Sequence, residues 1–366
     1  MQSWSRGVLL LTALLAVGSP AAAQTLEAGA LQVRFTGRVQ FQYNTSNVPG
    51  PEGTFEMRRA RQAVRLTIDD WIHGHVEADF ALGRLALKNA FMELAPSPGL
   101  NVRFGQYKMP FGLIQLTSST EILTIERGLR IRGLDTQFAD EDDGTDPALS
   151  QLDGALLMGE EQTLLDAHGY HGYDMGAEVH GTAGPFGYAV GLFNGAGPDR
   201  RDANAAKTVA GRVSYALGGT DAPLVLGAAA VFKDRVDTSG QTVRGQAYEV
   251  DAEYGAFRRS GLHVQVELVT GENMVLEETF LGAQGVAAWF APRDGPRVEG
   301  WELVGRASWG DPSTDRTEDG GLLLTPGANL YFHGRNRLMA NWDVFVPQGE
   351  RFETRHALRL QTQLHY

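Results

Sequence analysis

Hydrophobic and polar residues alternate one for one along much of the chain. In LQVRFTGRVQFQY (31–43), Leu31, Val33, Phe35, Val39, Phe41 and Tyr43 share one face, and Gln32, Arg34, Thr36, Arg38, Gln40 and Gln42 share the other. Successive side chains of a strand point to opposite sides, so this period predicts a strand with one apolar and one wet face. The pattern recurs in 55–68, where Val64, Leu66 and Ile68 oppose Arg59, Arg61, Arg65 and Thr67. It recurs in 262–270 and 337–346, and again in RHALRLQTQLHY (355–366). There His356, Leu358, Leu360, Thr362, Leu364 and Tyr366 oppose Arg355, Ala357, Arg359, Gln361, Gln363 and His365.

The period predicts strands over 31–43, 55–68, 74–82, 88–95, 100–108, 172–181, 185–193, 207–217, 223–232, 247–256, 262–270, 281–290, 298–309, 326–332, 336–346 and 356–366. Of these, 281–290 alternates least. Connections after odd-numbered strands are mostly long (44–54, 109–171, 194–206, 233–246, 271–280, 310–325, 347–355), with 83–87 the exception. Those after even-numbered strands are short (69–73, 96–99, 182–184, 218–222, 257–261, 291–297, 333–335). A β-sandwich has no reason to sort its loops this way, whereas a transmembrane barrel has short turns on one side and longer loops on the other.

Residues 1–23 change the picture. Arg6, the apolar run Val8–Val17 and the small-residue end Ala21-Ala22-Ala23 make a secretory signal with cleavage expected before Gln24. After it, no stretch approaches the roughly 18–20 apolar residues of a membrane helix. There are 0 Cys among 366 residues, so no disulfide framework or thiol chemistry is expected. The net charge of −12 argues against nucleic acid as a partner. The expected fold is all-β: residues 24–366 form a transmembrane antiparallel β-barrel of about 16 strands in the bacterial outer membrane. The last strand would pair with the first, so that no sheet edge is left open in lipid.

Connection 109–171 is out of scale. Ser118 and Glu121 have capping-box spacing ahead of EILTIER, with Gly128 as a stop, and Asp146-Pro147 is a second helix start. Its middle, DEDDGTD, is acidic. A surface loop would read this way. So would a loop with short helices folded into the lumen to narrow it, since a sixteen-strand barrel otherwise leaves a wide aqueous hole.

NVRFGQYKMPFG (101–112), SSTEILTIER (118–127), GYDMGAEVHG (172–181) and YAVGLFNGAG (188–197) resemble the phosphate-selective porin O/P family. The resemblance implies a sixteen-stranded barrel, a homotrimer, and a third outer loop, with the pair Glu126-Arg127, folded inward. It transfers no substrate. The terminal strand also resembles the signal read by the barrel-assembly machinery, which favours a final aromatic after alternating apolar residues. Tyr366, Leu364, Leu360 and Leu358 match it, while Thr362 departs from it.

Alternation alone assigns the lumen lining. Arg34, Arg38, Arg59, Arg61, Arg65, Arg355 and Arg359 fall on three strands that closure makes neighbours, with Arg103 an outlying addition. Such a basic wall suits anions. Glu249, Asp251, Glu253 and Glu267 fall about half a turn away, and a transverse field between the walls would weaken selection for either sign. His73, His75 and Glu77 have a spacing that could ligate a metal, but solvated turn residues read the same way, as do His168 and His171. No placed acid/base pair and no cofactor motif occurs. The expected function is passive diffusion of small hydrophilic solutes, favouring anions such as phosphate. A weakly selective porin is the first alternative. A barrel hydrolase built on Ser118 or Ser119, and a soluble binding sandwich, are the others.

Overall fold

A computed structural model describes residues 25–47, 53–83, 85–128, 165, 170, 172–200, 202, 206–218, 223–236, 242–273, 278–311, 313–315, 317, 320–348 and 353–366. The expected signal peptide, the acidic DEDDGTD, the helix start at Asp146-Pro147, and His168 and His171 lie outside the described residues.

The strands are β1 (Thr25–Ala28), β2 (Leu31–Ser46), β3 (Thr54–Ile68), β4 (Ile72–Asp79), β5 (Ala86–Ser97), β6 (Leu100–Lys108), β7 (Tyr173–Ala183), β8 (Phe186–Phe193) and β9 (Thr208–Leu217). They continue as β10 (Leu224–Val236), β11 (Thr242–Tyr254), β12 (Gly261–Asn273), β13 (Glu278–Pro292), β14 (Gly300–Asp311), β15 (Gly321–Tyr331), β16 (Arg337–Pro347) and β17 (Arg355–His365). One four-residue helix, α1 (Leu113–Leu116), follows β6. Each of β2–β17 pairs antiparallel with its neighbour in sequence, and β17 pairs with β2 from Ala357↔Ser46 to His365↔Arg38. That pairing closes a sixteen-strand barrel. β1 folds back on β2 from Thr25↔Arg34 to Ala28↔Leu31, covering the stretch that β17 does not reach.

The faces follow the alternation. On β17, Leu358, Leu360 and Leu364 are exposed on the outside, while Arg359, Gln361 and Gln363 are buried within. This inverts a soluble protein, because the outer surface is solvated by lipid. Two aromatic belts mark the interfaces. Trp71, Phe186, Tyr215, Tyr254, Trp289 and Trp301 lie near the short turns, and Phe55, Phe80, Phe232, Tyr248 and Trp342 lie at the other end. Phe186 packs on Tyr215 at 4.7 Å between ring centroids.

Two expectations change. The strands outrun their greasy bands, so the connections expected at 233–246 and 271–280 shrink to 237–241 and 274–277. Beyond the belt the ladder is held by polar residues, as in the Arg244–Asp234 pair at 2.8 Å, and hydropathy cannot see such a ladder. The sorting of long and short connections is correspondingly weaker in the second half of the barrel. The β2–β3 register also shifts. Gln40 opposes Arg59 while Phe41 opposes Met57, leaving Arg58 as an extra residue. This bulge breaks the period of two, and both Arg58 and Arg59 turn inward and are buried.

Candidate functional site in the barrel lumen

Residues 109–128 run from β6 across the inside of the barrel. Glu249 on β11 accepts the backbone N–H groups of Gly112 and Leu113, at 2.6 and 2.7 Å. Glu267 on β12 accepts that of Ile114 at 3.1 Å. These carboxylates take the donors that begin α1, which no turn of helix could satisfy. Arg127 closes the other end, donating from Nε to Ile114 O at 3.0 Å and also to Thr117 O.

The helix expected over 121–127 does not form. Ser118–Glu121 make a turn, with Glu121 N donating to Ser118 O at 2.8 Å, and 123–128 run on as bends. Barrel side chains claim backbone groups along the segment, among them the Ile122 and Leu123 carbonyls and the Ile125 N–H that a helix would use internally. Arg337 donates to Ile122 O, Asn329 to Leu123 O, Arg306 to Glu126 O and Gln284 to Arg127 O, all within 2.9 Å. Ile125 N donates to Asn341 Oδ1 at 2.6 Å. Capping-box spacing is a local signal, and these partners are distant in sequence.

Ile114 and Leu123 pack on Val286, Ala288 and Val304, which point inward from β13 and β14. The segment 281–290 therefore has two apolar faces, one toward lipid and one toward this internal cluster. That is why its alternation is weak.

Most of the expected lining arginines meet carboxylates. Glu126 receives Arg58 Nε at 2.8 Å, Arg59 at 3.2 Å and Gln42 Nε2 at 2.9 Å. Asp343 receives Arg359 at 2.6 Å and Arg306 at 3.2 Å. Arg61 bonds Asp79 at 2.7 Å and lies 3.5 Å from Glu77, which also pairs with Arg38. Arg103 pairs with Glu93 at 2.6 Å and approaches Glu178 at 3.6 Å. Arg355 is half-buried, with no partner for its Nε among the described residues. Arg34 and Arg65 are exposed cross-strand partners that make no ion pair among the described residues.

The acids are engaged too. Besides Glu249 and Glu267, Asp251 holds Arg212 in a two-point contact at 2.6 and 2.7 Å. Glu253 accepts from Gln265 at 2.9 Å and contacts His263 at 2.8 Å. Alternation would have found Arg212, Glu93, Glu178 and Asp343, whose partners make them notable. It could not place Arg58, which needs the bulge.

The other candidates are scattered. His73 faces Thr67 at 3.4 Å, His75 packs on the Phe91 ring, and Glu77 is taken by two arginines. The described residues contain no group of three or more ligands suited to a metal. Ser119 accepts from Arg38 at 2.9 Å and Ser118 contacts Thr120 at 3.0 Å, and neither hydroxyl is bonded to an imidazole among the described residues.

Burial varies around the lumen. Many inward side chains of β14–β17 and β2 are covered where 109–128 crosses; Glu302, Arg337, Arg359 and Gln42 are at most 2% exposed. On β5–β9 the inward Arg103, His180 and Arg212 keep side-chain exposures of 24%, 23% and 14%.

Residues 32–289 match the phosphate-selective porin O and P family. No curated protein sequence matches the chain significantly. The fold is similar to the anion-selective porin from Comamonas acidovorans, with TM-score 0.61 and 12% identity over 92% of this chain and 100% of that one. It is similar to the outer-membrane channel DcaP of Acinetobacter baumannii, with TM-score 0.58 and 10% identity over 94% and 100%. The outer-membrane protein OmpT of Vibrio cholerae, in its trimer form, matches with TM-score 0.54 and 13% identity over 92% and 100%. The chain belongs to the phosphate-selective porin O and P family and is an outer-membrane β-barrel porin.

Proposed function

We propose that the barrel conducts small hydrophilic solutes passively, with a weak preference for anions. The observation that carries this reading is the row Arg34–Arg65–His75, adjacent across β2, β3 and β4 near the short-turn mouth. Neither arginine has an ion-pair partner among the described residues. Like charges directly opposite one another repel, and a passing anion relieves that repulsion. Deeper in the lumen the guanidinium groups are matched by carboxylates, which argues for weak rather than strict selection. The solute gradient supplies the driving force. The partly exposed Arg103, His180 and Arg212 on β6, β7 and β9 are consistent with a path displaced toward that side.

The resemblance of the terminal strand to an assembly signal supports delivery through the barrel-assembly machinery, after removal of 1–23. The trimer form of the OmpT relative supports a homotrimer. Purified protein in planar bilayers, recorded across a KCl gradient, tests the function. A reversal potential of the anion-selective sign is expected. A value at zero leaves a weakly selective porin in which the charged walls cancel, and folded, inserted protein without channels overturns the pore.

A further inference from the structure

Glu93, Arg103 and Glu178 stand in one cross-strand row on β5, β6 and β7, facing the lumen on its less covered side. Glu93 Oε2 takes both Arg103, at 2.6 Å, and His180 Nε2, at 2.9 Å. Glu178 is buried, yet its nearest cationic contact among the described residues is Arg103 at 3.6 Å, beyond a good hydrogen bond. The guanidinium lies over two rings, 4.5 Å from the Phe91 centroid and 5.1 Å from that of Tyr107. Tyr107 Oη is buried without a hydrogen-bond partner among the described residues, and so is His75 Nε2 next to Phe91.

We infer that this wall is a binding site for a neutral polyhydroxylated solute, a sugar or polyol, and not for an inorganic anion. An anion drawn to Arg103 would lie against a carboxylate on each side, in register. A hydroxyl meets no such penalty, because it donates to a carboxylate and accepts from a guanidinium. Strand spacing of about 4.8 Å sets acceptor, donor and acceptor side by side on the scale of a sugar ring. Phe91 and Tyr107 fix the guanidinium plane, so the donors are oriented before the solute arrives. The unfilled capacity of Glu178 is what an added hydroxyl would complete.

The inference rests on the porin reading only for access to the lumen, and calorimetry separates the two. Folded protein in detergent is titrated with maltose and, as the contrasting probe, inorganic phosphate. Arg103→Gln, Glu178→Gln and the rim variant Arg244→Gln are compared, each first checked for resistance to unfolding in cold detergent. Maltose binding is expected, weakened at least tenfold by Arg103→Gln and Glu178→Gln, unchanged by Arg244→Gln, and not competed by phosphate. If either lumen variant fails to fold, Glu93→Gln replaces it with the same expectation. Absence of maltose binding, binding indifferent to these substitutions, or displacement of maltose by phosphate overturns the site. Bilayer current without maltose binding removes the site and leaves the porin. Maltose binding without current does the reverse.

Discussion

Tyr366 and Gly37 exchange both backbone hydrogen bonds, Gly37 N to Tyr366 O at 2.9 Å and Tyr366 N to Gly37 O at 3.1 Å. The phenol end of the ring lies over the glycine, where a Cβ would stand 2.5 Å from Tyr366 Oη. The pair sits at the seam where β17 meets β2. An aromatic over a cross-strand glycine restores the packing that the missing side chain forfeits. Tyr366→Ala is expected to cost about 1 kcal/mol, and Gly37→Val at least as much because the ring must leave. Urea unfolding of the lipid-refolded barrel measures both. Unshifted midpoints would mean the seam is held by backbone pairing alone.

Glu126 is a buried carboxylate shared by Arg58 and Arg59. Glu126→Gln removes a buried anion that Arg58 and Arg59 share, and a loss of about 3–5 kcal/mol is expected for breaking such a buried pair. Thermal unfolding reads the stability. Single-channel recording reads the second consequence, larger current fluctuations as 118–128 loosens. A quiet channel of unchanged stability would show that the backbone bonds hold the segment unaided.

Leu123 anchors the same segment through packing rather than charge. It is 2% exposed, against Val286, Ala288 and Val304. Leu123→Ala is expected to destabilise by about 2–3 kcal/mol, at the lower end for buried leucines because the cluster is small. A shift under a few tenths in the unfolding free energy would count against a packed core inside the lumen.

Arg34 and Arg65 carry the proposed anion preference. Arg34→Gln with Arg65→Gln is expected to move the KCl reversal potential toward zero, whereas Arg59→Gln should leave it where it was, since Arg59 is buried against Glu126. The opposite ordering would place selection at the clasp and not at the mouth.

Glu299, in the turn between β13 and β14, has its carboxyl held below the ordinary range, first by the hydrogen bond from Arg258 at 2.6 Å and then by His333. A depressed folded-state pKa gives stability that is present above the unfolded value and lost as pH falls through the folded one. Stability should therefore decline on the acid side of the usual glutamate range, and Glu299→Gln should flatten part of that slope. The group is mostly solvated, so the effect is small. Urea midpoints taken from pH 3 to pH 6 would expose it, and parallel curves for the two proteins would assign the acid slope elsewhere.

Much of the architecture is legible in sequence because it has a short period. Leu358, Leu360 and Leu364 against Arg359, Gln361 and Gln363 give the two faces of β17, and the same rule places Arg34, Arg38, Arg61, Arg65 and Arg103 on the inner wall. The alternation survives folding because pleated strands keep it wherever lipid is on one side. It fails where a second surface intervenes. The strand 281–290 reads weakly because its inner face is covered, and Arg58 escapes the pattern because one inserted residue reverses the parity.

The sequence by itself determined a closed barrel with its greasy and wet faces, since both follow from residues two apart and from the cost of an open edge in lipid. Only the tertiary structure decided which lumen charges remain bare. Glu126 meets Arg58 and Arg59, and Asp343 meets Arg359 and Arg306, across separations that no local pattern encodes. The same holds for 121–127, whose helix signal loses to Arg337, Asn329 and Arg306. Inside a barrel, buried carbonyls must be bonded by whatever donors the wall presents, and here those donors lie 180, 206 and 215 residues farther along the chain.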